Sequence, residues 1–137
     1  MIVADTSAII ALLDASSADH GDVRDLYRGN PDAWRLPWAI LPEVDYLTVK
    51  FLGTKVREAF LRDLADGAFV VEWGGDDDLA AAQKIDRRYR ALQLGLVDAV
   101  VIATAERLDA DAIATLDLRH FGSVSIKGAP RLLPRDR

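Results

Sequence analysis

The chain contains no cysteine. That excludes disulfides, thiolate nucleophiles and cysteine-built zinc sites. It also lacks any apolar run near the ~18 residues of a membrane span. No basic segment precedes an apolar stretch at the N-terminus, so a secretory leader is not expected, and the expectation is a soluble cytoplasmic protein with no membrane partner. Positive charge is in short supply: 22 acids outnumber 17 lysines and arginines, for a net charge of −5. A module that grips nucleic acid with a broad basic surface is therefore disfavoured. An acidic pocket that holds metal ions stays open, because bound cations reverse the local sign. No glycine-rich phosphate loop of the Walker or dinucleotide type occurs. No internal repeat or interdomain linker is visible. What remains is 137 residues, half of them hydrophobic, enough for one domain with a sizeable core. The expected domain spans residues 1–137. Its tail from Gly128, with two prolines and three arginines, is expected to be loose.

The opening, MIVADTSAII, sets the pattern. Ile2 and Val3 give a short β-branched run that stops at Asp5. Thr6 and Ser7 follow and can cap an apolar helix running to Leu13. Asp19 to Tyr27 reads as a second helix, closed by Gly29, Asn30 and Pro31. Trp34 to Trp38 reads as a strand that Pro37 confines to an edge or to a strand end. Ile40 to Phe51 is mostly helical in pattern. Thr54 can cap a helix in which Val56, Phe60 and Leu64 recur every four residues, with Gly67 past its end. Ala68 to Trp73 reads as a strand. The run Asp76 to Asp78 suits the start of a further helix through the cap and the macrodipole. Lys84, Arg87, Arg88 and Arg90 then mark either a solvated face or a phosphate-contacting patch. From Gly95 a helix apolar nearly all round reaches Leu108, and such a helix is buried. Ala112 to Thr115 is a strand, Asp117 to Phe121 a loop or short helix, and Val124 to Ile126 a last strand. Alternating strands and helices imply a parallel sheet covered on both faces.

The acids fall at informative places. Asp5 ends the first strand, where open α/β sheets collect ligands, although it can equally cap the first helix. Glu43 sits within ILPEV. Asp98 lies in the first turn of the most apolar helix. Asp117 follows the strand ending at Thr115. A charged acid in an apolar segment is costly without a partner, and few basic residues lie near these four in sequence. Either each has its own lysine or arginine, or the acids converge and share metal ions.

In VADTSAII, LPEV, DAVVIATA and TLDLRHF the chain resembles the PIN-domain ribonucleases, and within them the VapC-type toxins of bacterial toxin–antitoxin pairs. The likeness runs from Met1 to about Phe121 and covers the order and rough spacing of the four acids. It implies a three-layer α/β/α fold with a central, mostly parallel sheet. It also implies a Mg²⁺- or Mn²⁺-dependent endoribonuclease. Asp5, Asp98 and Asp117 would bind metal directly or through water, and Glu43 would bind metal or orient the attacking water. Hard oxygen ligands suit those ions. Thr6 and Thr115 are candidates to fix a carboxylate by hydrogen bonding, or else to cap or pack. Many such sequences carry a further acid where this chain has His120, and a hydroxyl residue where it has Gly95. His120 can touch phosphate or serve structure alone.

The resemblance further implies an RNA substrate, a homodimer, and an antitoxin that occludes the acidic pocket. Trp34, Trp38, Tyr46 and Phe51 offer aromatic surface for a partner, or core. A non-catalytic PIN-like module that binds RNA or protein is the alternative. Other phosphate-handling α/β proteins fit less well. A haloacid-dehalogenase-like phosphatase wants an acid where Ser7 stands, and a receiver domain wants an acid ending a middle strand.

Overall fold

Short apolar runs closed by acids, prolines and glycines make short strands. The computed structural model describes residues 1–137 and holds five of them: β1 Ile2–Ala4, β2 Trp34–Pro37, β3 Val71–Glu72, β4 Ala112–Ala114 and β5 Arg131–Leu133. They form one sheet in the order β3-β2-β1-β4-β5, and every pairing is parallel. In register, Ile2 stands between Trp34 and Ala112. Parallel neighbours need crossovers, which seven helices supply: α1 Thr6–Leu13, α2 His20–Gly29, α3 Ile40–Leu52, α4 Thr54–Ala65, α5 Asp76–Arg88, α6 Gly95–Arg107 and α7 Leu118–Phe121. None is long and apolar enough to cross a membrane.

The chain steps outward from β1 to β2 to β3. It then returns through α5 and α6 to β4, on the other side of β1. The strand order thus reverses between β1 and β4, and the carboxyl ends of those two strands flank the crevice where such sheets bind ligands. Asp5 and Thr115 are the residues that leave these strands.

Packing follows burial demand. The sevenfold run Ala99 to Ala105 of α6 is buried throughout, and α6 lies against β1, β2 and α5. On the other side, α1 packs on α2 and α3, and α3 on α4. Tyr27 meets Trp34 edge to face with centroids 5.4 Å apart, and Phe69 bridges Tyr27 and Phe60. Trp34, only 1% exposed, is therefore core, whereas Tyr46 and Phe51 on α3 are each 64% exposed.

Several expectations need correction. The tail is not loose. Arg131–Leu133 pairs with β4, Leu132 and Leu133 are buried, and the Leu132 N–H donates to Asp136 Oδ2 at 2.7 Å. Pro130 and Pro134 bracket this strand without interrupting its ladder, so their turn signal was misleading. Val124 to Ile126 is no strand: both residues pack on the core outside any ladder. Ala68 to Trp73 shortens to a two-residue edge strand. Pro37 does sit at a strand end, as one of its two expected places had it, because β2 is an interior strand. Neither Thr6 nor Thr54 is a cap: each is the first helical residue, after Asp5 and Gly53.

Asp78 is not a cap either. It is buried and takes Arg107 Nε at 2.8 Å, while the same guanidinium reaches Glu72 at 2.7 Å. One arginine thus ties the end of β3 to α5 and α6. Gly74, at φ +67°, leaves room for this, because a Cβ there would lie 2.1 Å from Asp78 Oδ2. Lys84, Arg87, Arg88 and Arg90 are solvent-exposed.

Candidate active site

Asp5 occupies the N-cap position of α1 in extended backbone, yet its side chain makes no cap hydrogen bond. Its backbone N–H donates to the Ala114 carbonyl at 2.9 Å, which fastens the end of β1 to β4. Its carboxylate, on a residue only 3% exposed, accepts two hydroxyl hydrogens on Oδ2, from Ser7 Oγ and Thr115 Oγ1, each at 2.9 Å. Both hydroxyls also accept a backbone N–H, Ser7 from Leu116 at 2.9 Å and Thr115 from Asp117 at 3.0 Å. Each hydroxyl has one hydrogen, so the accepted N–H directs it at Asp5. Thr115 thus fixes a carboxylate, as one of its expected roles had it. Thr6 does not: its buried Oγ1 has no hydrogen-bond partner. Successive helical residues point about 100° apart, and it is Ser7 whose side chain folds back over Asp5. Burial, and then the neighbouring Asp98 charge, push the Asp5 carboxyl up to about 6 against the pull of these two hydrogen bonds.

Asp98 is in the first turn of α6, where the helix dipole favours an anion. The helix opens on Gly95 at φ +82°, a left-handed start that suits glycine better than a hydroxyl residue. Burial raises the Asp98 pKa, outweighing the hydrogen bond from His120. Asp117 caps α7, accepting the His120 backbone N–H on Oδ1 at 3.1 Å. That cap curls the turn so that His120 Nδ1 lies 2.6 Å from Asp98 Oδ2 and 3.2 Å from Asp117 Oδ2. Donor atoms of Asp98, Asp117 and His120 all lie within 4.8 Å of one another.

Glu43, in the first turn of α3, completes the set. Asp5, Glu43, Asp98 and Asp117 line one cavity of about 350 Å³. Away from these four acids its wall carries Ile10, Ala11, Leu47 and Phe51, with Asp14 and Ser17 just after α1. Four acids from four separate segments thus converge, and no lysine or arginine pairs with any of them. A buried carboxylate beside further acids, with no cationic side chain on it, is a charge arrangement that a bound cation relieves. The carboxylate oxygens are donors that Mg²⁺ or Mn²⁺ accepts.

Two residues of this site were not singled out by sequence as carboxylate partners. Ser7 stood beside Thr6 in the same DTS motif, and only the direction of the helix chooses between them. His120 reads in sequence as a phosphate contact or a structural residue, with nothing local to pair it with Asp98. Its signal was positional: three residues after Asp117, it comes back over the capping acid once the turn is helical.

The comparisons bear on the fold and the family. The PIN domain family profile matches residues 2–127. Ribonuclease VapC26 of Mycobacterium tuberculosis is 32% identical over 130 residues, 95% of this chain and 96% of that protein. The crystal structure of M. tuberculosis VapC20, described as a sarcin–ricin loop cleaving toxin, superposes with a TM-score of 0.79 at 21% identity, over 91% of this chain and 97% of that one. VapBC2 of Rickettsia felis, crystallised with a promoter DNA fragment, gives 0.70 at 13% identity over 96% and 97%. At those identities the two structures speak for the fold. The family profile and the 32% relative, each covering most of the chain, go further. The chain belongs to the PIN domain family.

Proposed function

We propose that this chain is a divalent-metal-dependent endoribonuclease and the toxin of a toxin–antitoxin pair. The observation that carries the reading is the convergence of Asp5, Glu43, Asp98 and Asp117 on one cavity with no lysine or arginine to neutralise them. The names of the relatives, a ribonuclease and a sarcin–ricin loop cleaving toxin, supply substrate class and biological role.

Asp5, Asp98 and Asp117 would hold Mg²⁺ or Mn²⁺ directly or through water, and Glu43 would hold metal or orient the attacking water. A bound ion of this kind lowers the pKa of water and neutralises charge on phosphate and leaving oxygen. The protein's own contribution is positional. Ser7 and Thr115 keep Asp5 ionised and turned inward with two hydrogen bonds. The α7 cap holds Asp117 at the rim. The apolar wall at Leu47 and Phe51 suits the faces of unstacked bases, which single-stranded RNA presents.

An antitoxin partner belongs to the same reading, since VapBC2 was crystallised as a pair, and so does a homodimer. Exposed Tyr46, Val49 and Phe51 on α3 offer apolar surface for such contacts.

Cleavage of RNA by the purified chain tests the reading. Mg²⁺ or Mn²⁺ should support it and EDTA abolish it. Asp98→Asn and Asp117→Asn should each lose about a hundredfold or more while remaining folded, because ion contacts act in the transition state. Undiminished cleavage in EDTA would refute the metal mechanism. Ion binding without cleavage of any RNA would leave a binding module.

A further inference from the structure

His120 is the one basic side chain that touches the acids. Its ring is mostly buried, 18% exposed, and directed inward. Nδ1 stands 2.6 Å from Asp98 Oδ2 and 3.2 Å from Asp117 Oδ2. A side chain reserved for a surface phosphate has no need of either contact. Donor atoms around one six-coordinate ion with bonds of about 2.1 Å lie roughly 3 Å apart when adjacent and 4.2 Å when opposite. The 3.2 Å from Nδ1 to Asp117 Oδ2 matches an adjacent pair, while the 2.6 Å to Asp98 Oδ2 is a hydrogen bond that has to open by a few tenths of an ångström before both atoms can hold one ion. The placement is built into the backbone, because the His120 N–H donates to the Asp117 carboxylate and fixes the turn that carries the ring. The other histidine does not compete, since His20 Nδ1 is 2.9 Å from the Ala11 carbonyl oxygen.

We propose that His120 ligates the divalent cation through Nδ1, together with Asp98 and Asp117, and that this nitrogen makes the site prefer Mn²⁺ to Mg²⁺. The proposal rests on the metal-dependent reading above and adds the ligand that sets the ion's identity. Imidazole is a borderline donor that first-row transition ions accept readily. Mg²⁺ favours oxygen and keeps much of its water. Ligation uses the neutral ring with its one hydrogen on Nε2, so that the Nδ1 lone pair faces the ion in place of its contact with Asp98.

The test uses the intact chain loaded with Mn²⁺ alone. Pulsed electron paramagnetic resonance should detect a directly bound histidine nitrogen. Labelling with ¹⁵N-histidine should alter that signal, and His120→Asp, which retains His20, should remove it. By titration, the ratio of Mn²⁺ to Mg²⁺ affinity should fall about tenfold or more in His120→Asp, whose site is all oxygen. Mn²⁺ bound with no histidine coupling, at an unchanged ion ratio, would overturn the proposal and leave His120 as a residue that only orients Asp98. Failure of the parent to bind Mn²⁺ at millimolar concentration would overturn the metal site itself. The spectrum of the parent decides even if the variant folds poorly.

Discussion

One buried carboxylate of the site, Asp5, is held well above its ordinary pKa. Asp5 has a folded pKa of about 6, above its ordinary 3.8. Its ionised form is therefore disfavoured by folding. In ion-free protein the cost is full above about pH 6, shrinks between 6 and 3.8, and vanishes below 3.8, where both folded and unfolded chains are protonated. Asn can accept the same two hydroxyl hydrogens without the charge. Asp5→Asn should thus melt a few degrees higher than the parent at pH 7.5, for a gain of about 1 kcal/mol, and the gap should close toward pH 4. Millimolar Mg²⁺ or Mn²⁺ should raise the parent's melting temperature by mass action and the variant's much less. Melting curves at the two pH values, with and without ion, measure this, and identical curves throughout would mean that Asp5 carries no strain for a cation to relieve. Ser7 makes a different prediction. Ser7→Ala strips Asp5 of one donor and leaves the Leu116 N–H without its acceptor. A lost hydrogen bond with an unsatisfied group costs about 1–3 kcal/mol, so the denaturation midpoint should fall and cleavage with it. Thr6→Ala, which removes a hydroxyl without a partner, should cost less; the reverse order would contradict the hydrogen-bond assignment.

Among the elements, β5 and α7 show how short segments govern the site. β5 is the outer neighbour of β4, and the Thr115 N–H donates to the Leu133 carbonyl at 2.9 Å. The last strand therefore helps position the hydroxyl that holds Asp5. Leu132→Ala should destabilise the fold by about 2–4 kcal/mol, the usual cost of emptying a buried leucine site. Chemical denaturation measures it, and a change within experimental scatter would show the tail to be dispensable. From sequence, β1, β2, β4 and the helices up to α6 were legible from their apolar runs and recognisable stops, whereas Asp117 to Phe121 stayed open between a loop and the short helix it is. β5 was not, because a three-residue strand between two prolines has the composition of a tail. Its strand character comes from the open edge of β4, a partner remote in sequence. The two-residue β3 was over-read for the complementary reason: Ala68 to Trp73 has strand composition, yet Val70 and Trp73 lie exposed and only Val71 and Glu72 pair with β2.

At the scale of the molecule, an acidic chain gathers four acids in a crevice on a sheet whose strand order reverses beside β1. If the proposed function holds, expression without the antitoxin should arrest a bacterial host, and Asp5→Asn should abolish the arrest at equal protein level. Growth curves with immunoblots measure it, and harmless high-level expression of the unmodified chain would argue against the toxin role while leaving a nuclease possible. The sequence by itself determined the alternation of strands and helices, the burial of α6 and the family. Periodicity, capping signals and four acids in order are local properties, and a linear reading retains them. It also named Asp5, Glu43, Asp98 and Asp117. What it left open was which neighbours answer those acids. Ser7 rather than Thr6 holds Asp5, His120 joins Asp98, Arg107 claims Asp78, and Trp34 turns into the core while Tyr46 and Phe51 face solvent. Tertiary structure alone decided these pairings. Hydrogen bonds and ion contacts act over a few ångströms: Thr115 meets Asp5, 110 positions away, because β4 closes against β1, and Arg107 meets Asp78 where α6 packs on α5.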